Sequence, residues 1–201
     1  MAVGEGFPEI LRAAQLGAEW AWRTLYRDLA PAVTGYLRLH GVGEPEDLTG
    51  EVFVQIVRGL SGFTGDEMQF RSWVFVIAHH RIADERRART RKPSAPAEFQ
   101  ALEQVAPTGN AEEEALGRLS VGEIRRVLDA LSDDQRDIML LRIVGGLTLE
   151  ETAGVVGKRI GSVKALQRRA IATIRRMGLV KMSAAPGKLT TELGLNSSAG
   201  R

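Results

Sequence analysis

Two helix starts are spelled out in the second half of the chain. Ser132 precedes Gln135 by three positions, and Thr148 precedes Glu151 by three. In each pair the hydroxyl and the longer side chain can exchange hydrogen bonds with each other's backbone N–H, the capping box that satisfies donors left bare at a helix start. Between them, Gly145 and Gly146 end the first of these helices. Past the second start, Ala153 sits inside a short helix, Gly157 follows four residues later, and Val163 and Leu166 return at helical spacing. Two helices that cross steeply need a small residue where they touch and a glycine in the turn, so Leu147 to Ala170 is read as a helix-turn-helix. Its second helix is expected to start at Gly161 or Ser162.

Charge runs along this stretch in one direction. It opens with Glu150 and Glu151, and from Lys158 to Lys181 there are eight Lys or Arg and no Asp or Glu. The acids suit the positive end of the first helix dipole. The cations suit a polyanion, with Lys164, Arg168 and Arg169 on or near the exposed face of the second helix. An ordinary helical hairpin with a solvated basic face is the plainer alternative. Net charge decides nothing here, because it is only +2 over the whole chain; the asymmetry is local.

The first half also reads as helix after helix. Trp22, Leu25, Tyr26, Leu29, Val33, Tyr36 and Leu37 recur at threes and fours, with Pro31 expected to kink or divide that helix. "GVGEPED" is a turn. Leu48, Val52, Phe53, Ile56, Val57 and Leu60 resume the period, "SGFTGDEMQF" is a loop, and "RSWVFVIAHHRIADERRARTRK" is a helix that turns from apolar to basic. No strand pattern of useful length and no internal repeat is seen. The fold class is therefore all-α, in two small helical domains. Their expected bounds are 1–92 and 112–178, joined by a flexible Ala/Pro-rich linker at 93–111 and followed by a small, polar, flexible tail at 179–201. With 201 residues, two units of less than about 100 residues each are feasible.

Several chemistries are set aside by composition. The chain has no cysteine, which removes disulfides, thiol catalysis and Cys-based zinc sites. No apolar run approaches the roughly 20 residues that span a bilayer, and the start lacks a leader pattern, so no membrane insertion and a cytoplasmic location are expected. His79, His80, Asp84 and Glu85 lie close in sequence, but without the HExxH order, so no metal is expected there. "GEG" near the N-terminus lacks the spacing of a phosphate loop. No cofactor and no catalytic residues are expected.

The ordered motifs "LYRDLAPAVTGYLR", "PEDLTGEVFVQIVRGL", "GFTGDEMQFRSWVFVIAHHRIADERRAR" and "LDALSDDQRDIMLLRIVGGLTLEETAGVVGKRIGSVKALQRRAIATIRR" resemble the sigma-70 family of bacterial RNA polymerase initiation factors, in its compact extracytoplasmic-function (ECF) group. The resemblance runs from about Leu16 to Met177. It implies a sigma-2 domain that binds the clamp helices of the largest polymerase subunit and captures the melted minus-10 element. It also implies a sigma-4 domain that binds the minus-35 element and the flap of the second-largest subunit. Nucleotide polymerisation then belongs to the core enzyme, and the chain itself is no enzyme.

Carried over by position, the resemblance places polymerase binding on Asp47, Leu48, Glu51, Val52 and Phe53, with Leu48, Val52 and Phe53 also readable as core. Many relatives have Gln where this chain has Gly50. Minus-10 recognition falls on the loop Ser61 to Gln69 and the helix after it. Arg71, His80, Arg81, Arg86 and Arg87 are the DNA candidates there, with Trp73 beside them. Phe63, Phe70 and Trp73 read more readily as core than as stacking platforms, since this group uses a loop pocket. Relatives often carry Asn at the place of His80, and Asp84 matches a family acid that can orient an arginine. Minus-35 recognition falls on Arg159, Ser162, Lys164, Arg168 and Arg169. Core RNA polymerase, promoter DNA and an anti-sigma factor that clamps the two domains are the implied partners. A helix-turn-helix regulator that never joins polymerase is the main alternative; a pure interaction module leaves the two basic helices without a purpose.

Overall fold

The computed structural model describes residues 4–91 and 121–177. The expected linker at 93–111, the tail at 179–201 and the expected start of the second domain at 112 lie outside these residues. Among the described residues there are eight α-helices and no strand. They are α1 (Phe7–Gln15), α2 (Glu19–Leu39), α3 (Pro45–Gly59), α4 (Glu67–Arg91), α5 (Val121–Asp129), α6 (Asp133–Ile143), α7 (Leu149–Val156) and α8 (Ile160–Arg176).

Helix α2 is the axis of the first unit, with α1, α3 and α4 packed around it. Leu25, Leu29, Val33, Tyr36 and Leu37 are all buried, as their spacing predicts. Pro31 does not divide the helix, which runs unbroken through it. The proline is exposed, so the carbonyl that it leaves without an N–H partner lies on the solvent side. Helix α1 was not foreseen: Phe7, Leu11 and Ala14 are buried along one stripe, and Gln15 donates from Nε2 to the carbonyls of Leu60 and Phe63 at 3.0 and 2.9 Å. Those bonds fasten the short 3-10 turn at Leu60–Gly62 that leads into α4. Helix α4 also starts earlier than the loop reading allowed. Asp66 accepts from the Gln69 N–H at 2.8 Å while Gln69 accepts from the Asp66 N–H at 2.9 Å, a capping box with Asp as its first member.

Both capping boxes read from the sequence are present: Ser132 with Gln135 opens α6, and Thr148 with Glu151 opens α7. Gly157 closes α7 at φ +64°, a left-handed conformation that glycine adopts at little cost. Helix α8 starts at Ile160, one residue before the expected range. Ile138, Ala153 and Val163 form the small apolar cluster where α6, α7 and α8 meet, joined by Leu149, Val156 and Leu166. Ala153 has the place that the steep crossing requires.

The two units do not sit apart. Leu128, Leu140, Leu141, Leu147 and Val155 of the second unit belong to the same buried apolar cluster as Val33, Phe75 and Ile82 of the first. Helix α7 lies along α4, and α6 touches α2.

Candidate nucleic-acid and polymerase interfaces

Val163, Gln167 and Ala170 are the buried positions of α8. With those turned inward, the 3.6-residue period carries Arg159, Ser162, Lys164, Arg168 and Arg169 to the surface, and all five are exposed. No acid lies in the helix, and no side chain caps its start, so its first N–H groups add to the positive field. Lys158 is held apart from this set by Asp134, 3.0 Å away at the start of α6. Arg175 and Arg176, in the last turn, are exposed too. The acid-to-base gradient thus has a physical layout: Glu151 is spent on a helix cap, and the cations line the next helix.

Along α4 the buried stripe is Phe70, Val74, Phe75, Ala78 and Ile82. His80, Asp84 and Arg87 are exposed, and Arg87 donates to Asp84 at 2.9 Å. Arg81 lies 3.6 Å from Glu51 and also reaches the Gln55 side-chain oxygen at 2.7 Å in the amide orientation that satisfies both groups. Two residues assigned by sequence to different partners are therefore paired across α3 and α4.

Arg71 does not join the others. It lies near the start of α4 in a small recess formed with Phe7, Leu25, Asp28, Leu29, Glu67 and Phe70, with Nη1 buried and without a hydrogen-bond partner among the described residues. The unforeseen α1 brings Phe7 to that recess. Trp73 is half-buried, stacked on Phe63 with centroids 5.2 Å apart, and packed so closely on Gly59 that a Cβ there would lie 2.8 Å from the indole. Phe70 is core.

On α3, Asp47 and Glu51 are exposed and Leu48 is half-buried. Val52 and Phe53 face inward, Phe53 packing on Tyr26 with centroids 4.6 Å apart. Of the two readings of Phe53, the structure gives the core one: its ring is covered. Val54 and Val57 are 49% and 53% exposed, on the same outer side as the two acids. Val54 was legible as an apolar residue off the buried period; Val57 was miscounted into it. A Cβ at Gly50 would meet nothing within 4 Å, so this outer face is open around it.

Arg86 is the unexpected member of the α4 set. Its Nη2 donates to His40 Nδ1 at 3.0 Å and to Asp137 Oδ1 at 3.3 Å, joining α4, α2 and α6. Tyr36 lies behind, with its hydroxyl 3.0 Å from His79 Nδ1 and its ring 4.5 Å from that of His40. Burial dominates the titration of this cluster. It pushes the Tyr36 hydroxyl well above its ordinary range, with Asp137 adding to the effect. Burial, and then the Arg86 charge, hold His40 well below 6.5 and His79 at about 4. Both imidazoles are neutral at pH 7. His40 then accepts at Nδ1 and carries its proton on Nε2, which is buried without a partner among the described residues. Burial raises Asp137 to about 6 against the opposing pull of Arg86, so its carboxylate is mainly ionised at pH 7.

A helix-turn-helix with a cationic second helix, joined to a helical unit with exposed basic and apolar faces, defines the class: a two-unit, all-helical DNA-binding protein. Residues 25–92 match the family model for sigma-70 region 2, and residues 122–174 match that for sigma-70 region 4. The chain is 31% identical over 179 residues to the ECF RNA polymerase sigma factor SigD of Mycobacterium tuberculosis, covering 86% of this chain and 84% of that one. It is 31% identical over 172 residues to the ECF sigma factor BldN of Streptomyces coelicolor, covering 84% of this chain but 64% of BldN. It belongs to the ECF group of the sigma-70 family of RNA polymerase sigma factors. Two solved structures share the fold: CnrH in complex with the cytosolic domain of CnrY, at TM-score 0.63 and 19% identity over 89% of this chain and 100% of that one; and the sigma factor RpoE in complex with the anti-sigma factor NepR from Bartonella quintana, at TM-score 0.61 and 23% identity over 80% and 98%. Among the described residues no helix is long and apolar enough to cross a membrane.

Proposed function

We propose that the chain is an alternative sigma factor that binds core RNA polymerase and directs it to promoters with paired minus-10 and minus-35 elements. The observation that carries the reading is the surface of α8: four exposed polar or cationic residues, with Arg159 at the N-cap, on an acid-free helix whose opposite face is buried. Arg159, Ser162, Lys164, Arg168 and Arg169 contact the minus-35 duplex, some at base edges and some at phosphates. His80, Arg81, Arg86 and Arg87 take the minus-10 strand, where cations track the backbone and a loop receives extruded bases. Trp73 stiffens that loop through Phe63, and Arg71 supports the start of α4.

Asp47, Leu48 and Glu51, with Val54 and Val57 added, form the polymerase contact: an apolar centre rimmed by acids suits the basic surface of a clamp. The second unit also meets the flap of the second-largest subunit. An anti-sigma factor restrains the chain in the cytoplasm until it is released, a reading supported by the RpoE neighbour, which was solved with one. Run-off transcription with purified core polymerase on a promoter library tests the proposal. A sigma factor yields discrete starts that vanish without it. A regulator acting outside polymerase would instead bind duplex sites tightly alone and support no start.

A further inference from the structure

The loop between α3 and α4 reads Ser61, Gly62, Phe63, Thr64, Gly65, Asp66. Phe63 turns inward onto Phe70 and Trp73, each ring centroid 5.2 Å from its own. Ser61 and Thr64 are exposed, and neither hydroxyl has a hydrogen bond among the described residues. A short segment with two glycines loses much conformational freedom when it is fixed, so it presents such groups in one place only if its neighbours hold it.

Helix α1, with the 3-10 turn Gly4–Gly6 before it, supplies that hold at both ends of the loop. At the exit, Glu67 accepts from the Gly4 N–H at 2.9 Å, and Phe7 packs on Phe70 with centroids 5.6 Å apart. At the entry, Gln15 donates from Nε2 to the Leu60 carbonyl at 3.0 Å and to the Phe63 carbonyl at 2.9 Å, across 45 and 48 positions of chain. An amide nitrogen carries two hydrogens, and both are used here. With two carbonyl oxygens opposite, the nitrogen is the end of the amide that fits. The Leu60 carbonyl also accepts from the Phe63 N–H at 3.0 Å, so Gln15 bridges the two residues that this bond already brings together. Gln15 is half-buried, and its donors are spent within the chain.

We infer that Gln15 is a positioning residue for minus-10 readout, acting through the loop it fastens rather than on the strand. The inference rests on the reading of this loop as the receiver of an extruded minus-10 base. A base that fits must find the loop ordered or order it on arrival, whereas a base that does not fit gains nothing from it. Held in advance by Gln15, the loop takes the fitting base without that ordering cost. Without Gln15 the cost falls on the fitting base alone, and the preference for it narrows.

The test uses a promoter recovered from a library by run-off transcription with the full chain and core polymerase. Its single-base variants through the minus-10 region are then transcribed by parent and variant holoenzymes at saturating chain. Gln15→Leu, close in size and without a donor, should lower the preference at one or two adjacent bases by roughly tenfold, the effect of losing two neutral hydrogen bonds. Preferences at the other positions, and pull-down affinity for core polymerase, should stay those of the parent. Tryptophan emission reports folding, since Trp20, Trp22 and Trp73 lie in the first unit. If Gln15→Leu fails to fold, Gln15→Glu carries the comparison, keeping the shape and turning an acceptor towards the two carbonyls. Val33→Ala, at a fully buried site in α2, lowers the stability of the same unit and should leave every base preference unchanged. An unmoved profile in a folded Gln15 variant, uniform weakening at all positions, or the same narrowing in Val33→Ala overturns the role of Gln15 and leaves the sigma reading standing. Absence of any discrete start with the parent chain sinks the sigma reading and this inference with it.

Discussion

Replacing Ile138 with alanine tests the helix-turn-helix where its three helices meet. Ile138 is 0% exposed and packs with Ala153 and Val163. The substitution removes three carbons, at about 0.8 kcal/mol each for lost burial, or about 2.4 kcal/mol before the cavity is counted. Incomplete collapse of the three helices raises this to about 3–4 kcal/mol. A unit of about 60 residues has roughly 3–9 kcal/mol in all, so the loss takes a large share of the second unit's stability and lowers its midpoint by roughly 15–25 °C. The assay follows from the chain's composition: its three tryptophans are Trp20, Trp22 and Trp73, all in the first unit. Far-UV circular dichroism should show an early helical phase lost with α5–α8, while tryptophan emission holds to a higher temperature. A melt within about 0.5 kcal/mol of the parent would refute the placement of Ile138 at the crossing. Emission and dichroism that shift together would show instead that the shared apolar cluster makes the two units melt as one.

Three further outcomes are expected. Lys164→Ala and Arg168→Ala should each weaken minus-35 duplex binding by about 1–3 kcal/mol; in gel shifts across mutated sites, a base contact loses discrimination at one base pair, whereas a phosphate contact weakens all sequences alike. Acid should loosen the fold: burial lowers His79 to about 4 and His40 well below 6.5, so their contribution is full above pH 6.5 and is lost as pH falls from there towards 4. Asp137, raised to about 6, works the other way, favouring the fold most below its ordinary 3.8 and least above 6. With two imidazoles against one carboxyl, the urea midpoint should fall between pH 7 and 5, and His79→Gln should flatten that fall. Gly50→Gln should stabilise α3 by about 0.5–1 kcal/mol, because the site is an open helix interior. It should also tighten core polymerase binding in a pull-down titration; weaker binding would count against the α3 surface.

How far the sequence could be read depended on the range of the interaction. Capping boxes at Ser132 and Thr148 join residues three apart, and both are present. The Asp66–Gln69 box obeys the same rule and was missed only because Asp was not read as its first member. Exposure of Ser162, Lys164, Arg168 and Arg169 follows from the period that buries Val163, Gln167 and Ala170. Periodicity failed at the edge of its stripe, where Val57 was counted inward and is exposed; at Phe53 it held, and that ring is buried against Tyr26.

By itself, then, the sequence determined the all-helical class, the helix-turn-helix and the cationic face of α8, since each depends on spacing within a few residues. Only the tertiary structure decided that α1 covers the site of Arg71, that Arg81 pairs with Glu51, and that Arg86 reaches Asp137 across 51 positions of chain. Such contacts depend on where whole helices come to rest. That is set by the summed burial of apolar faces, in which no local pattern names the opposite partner.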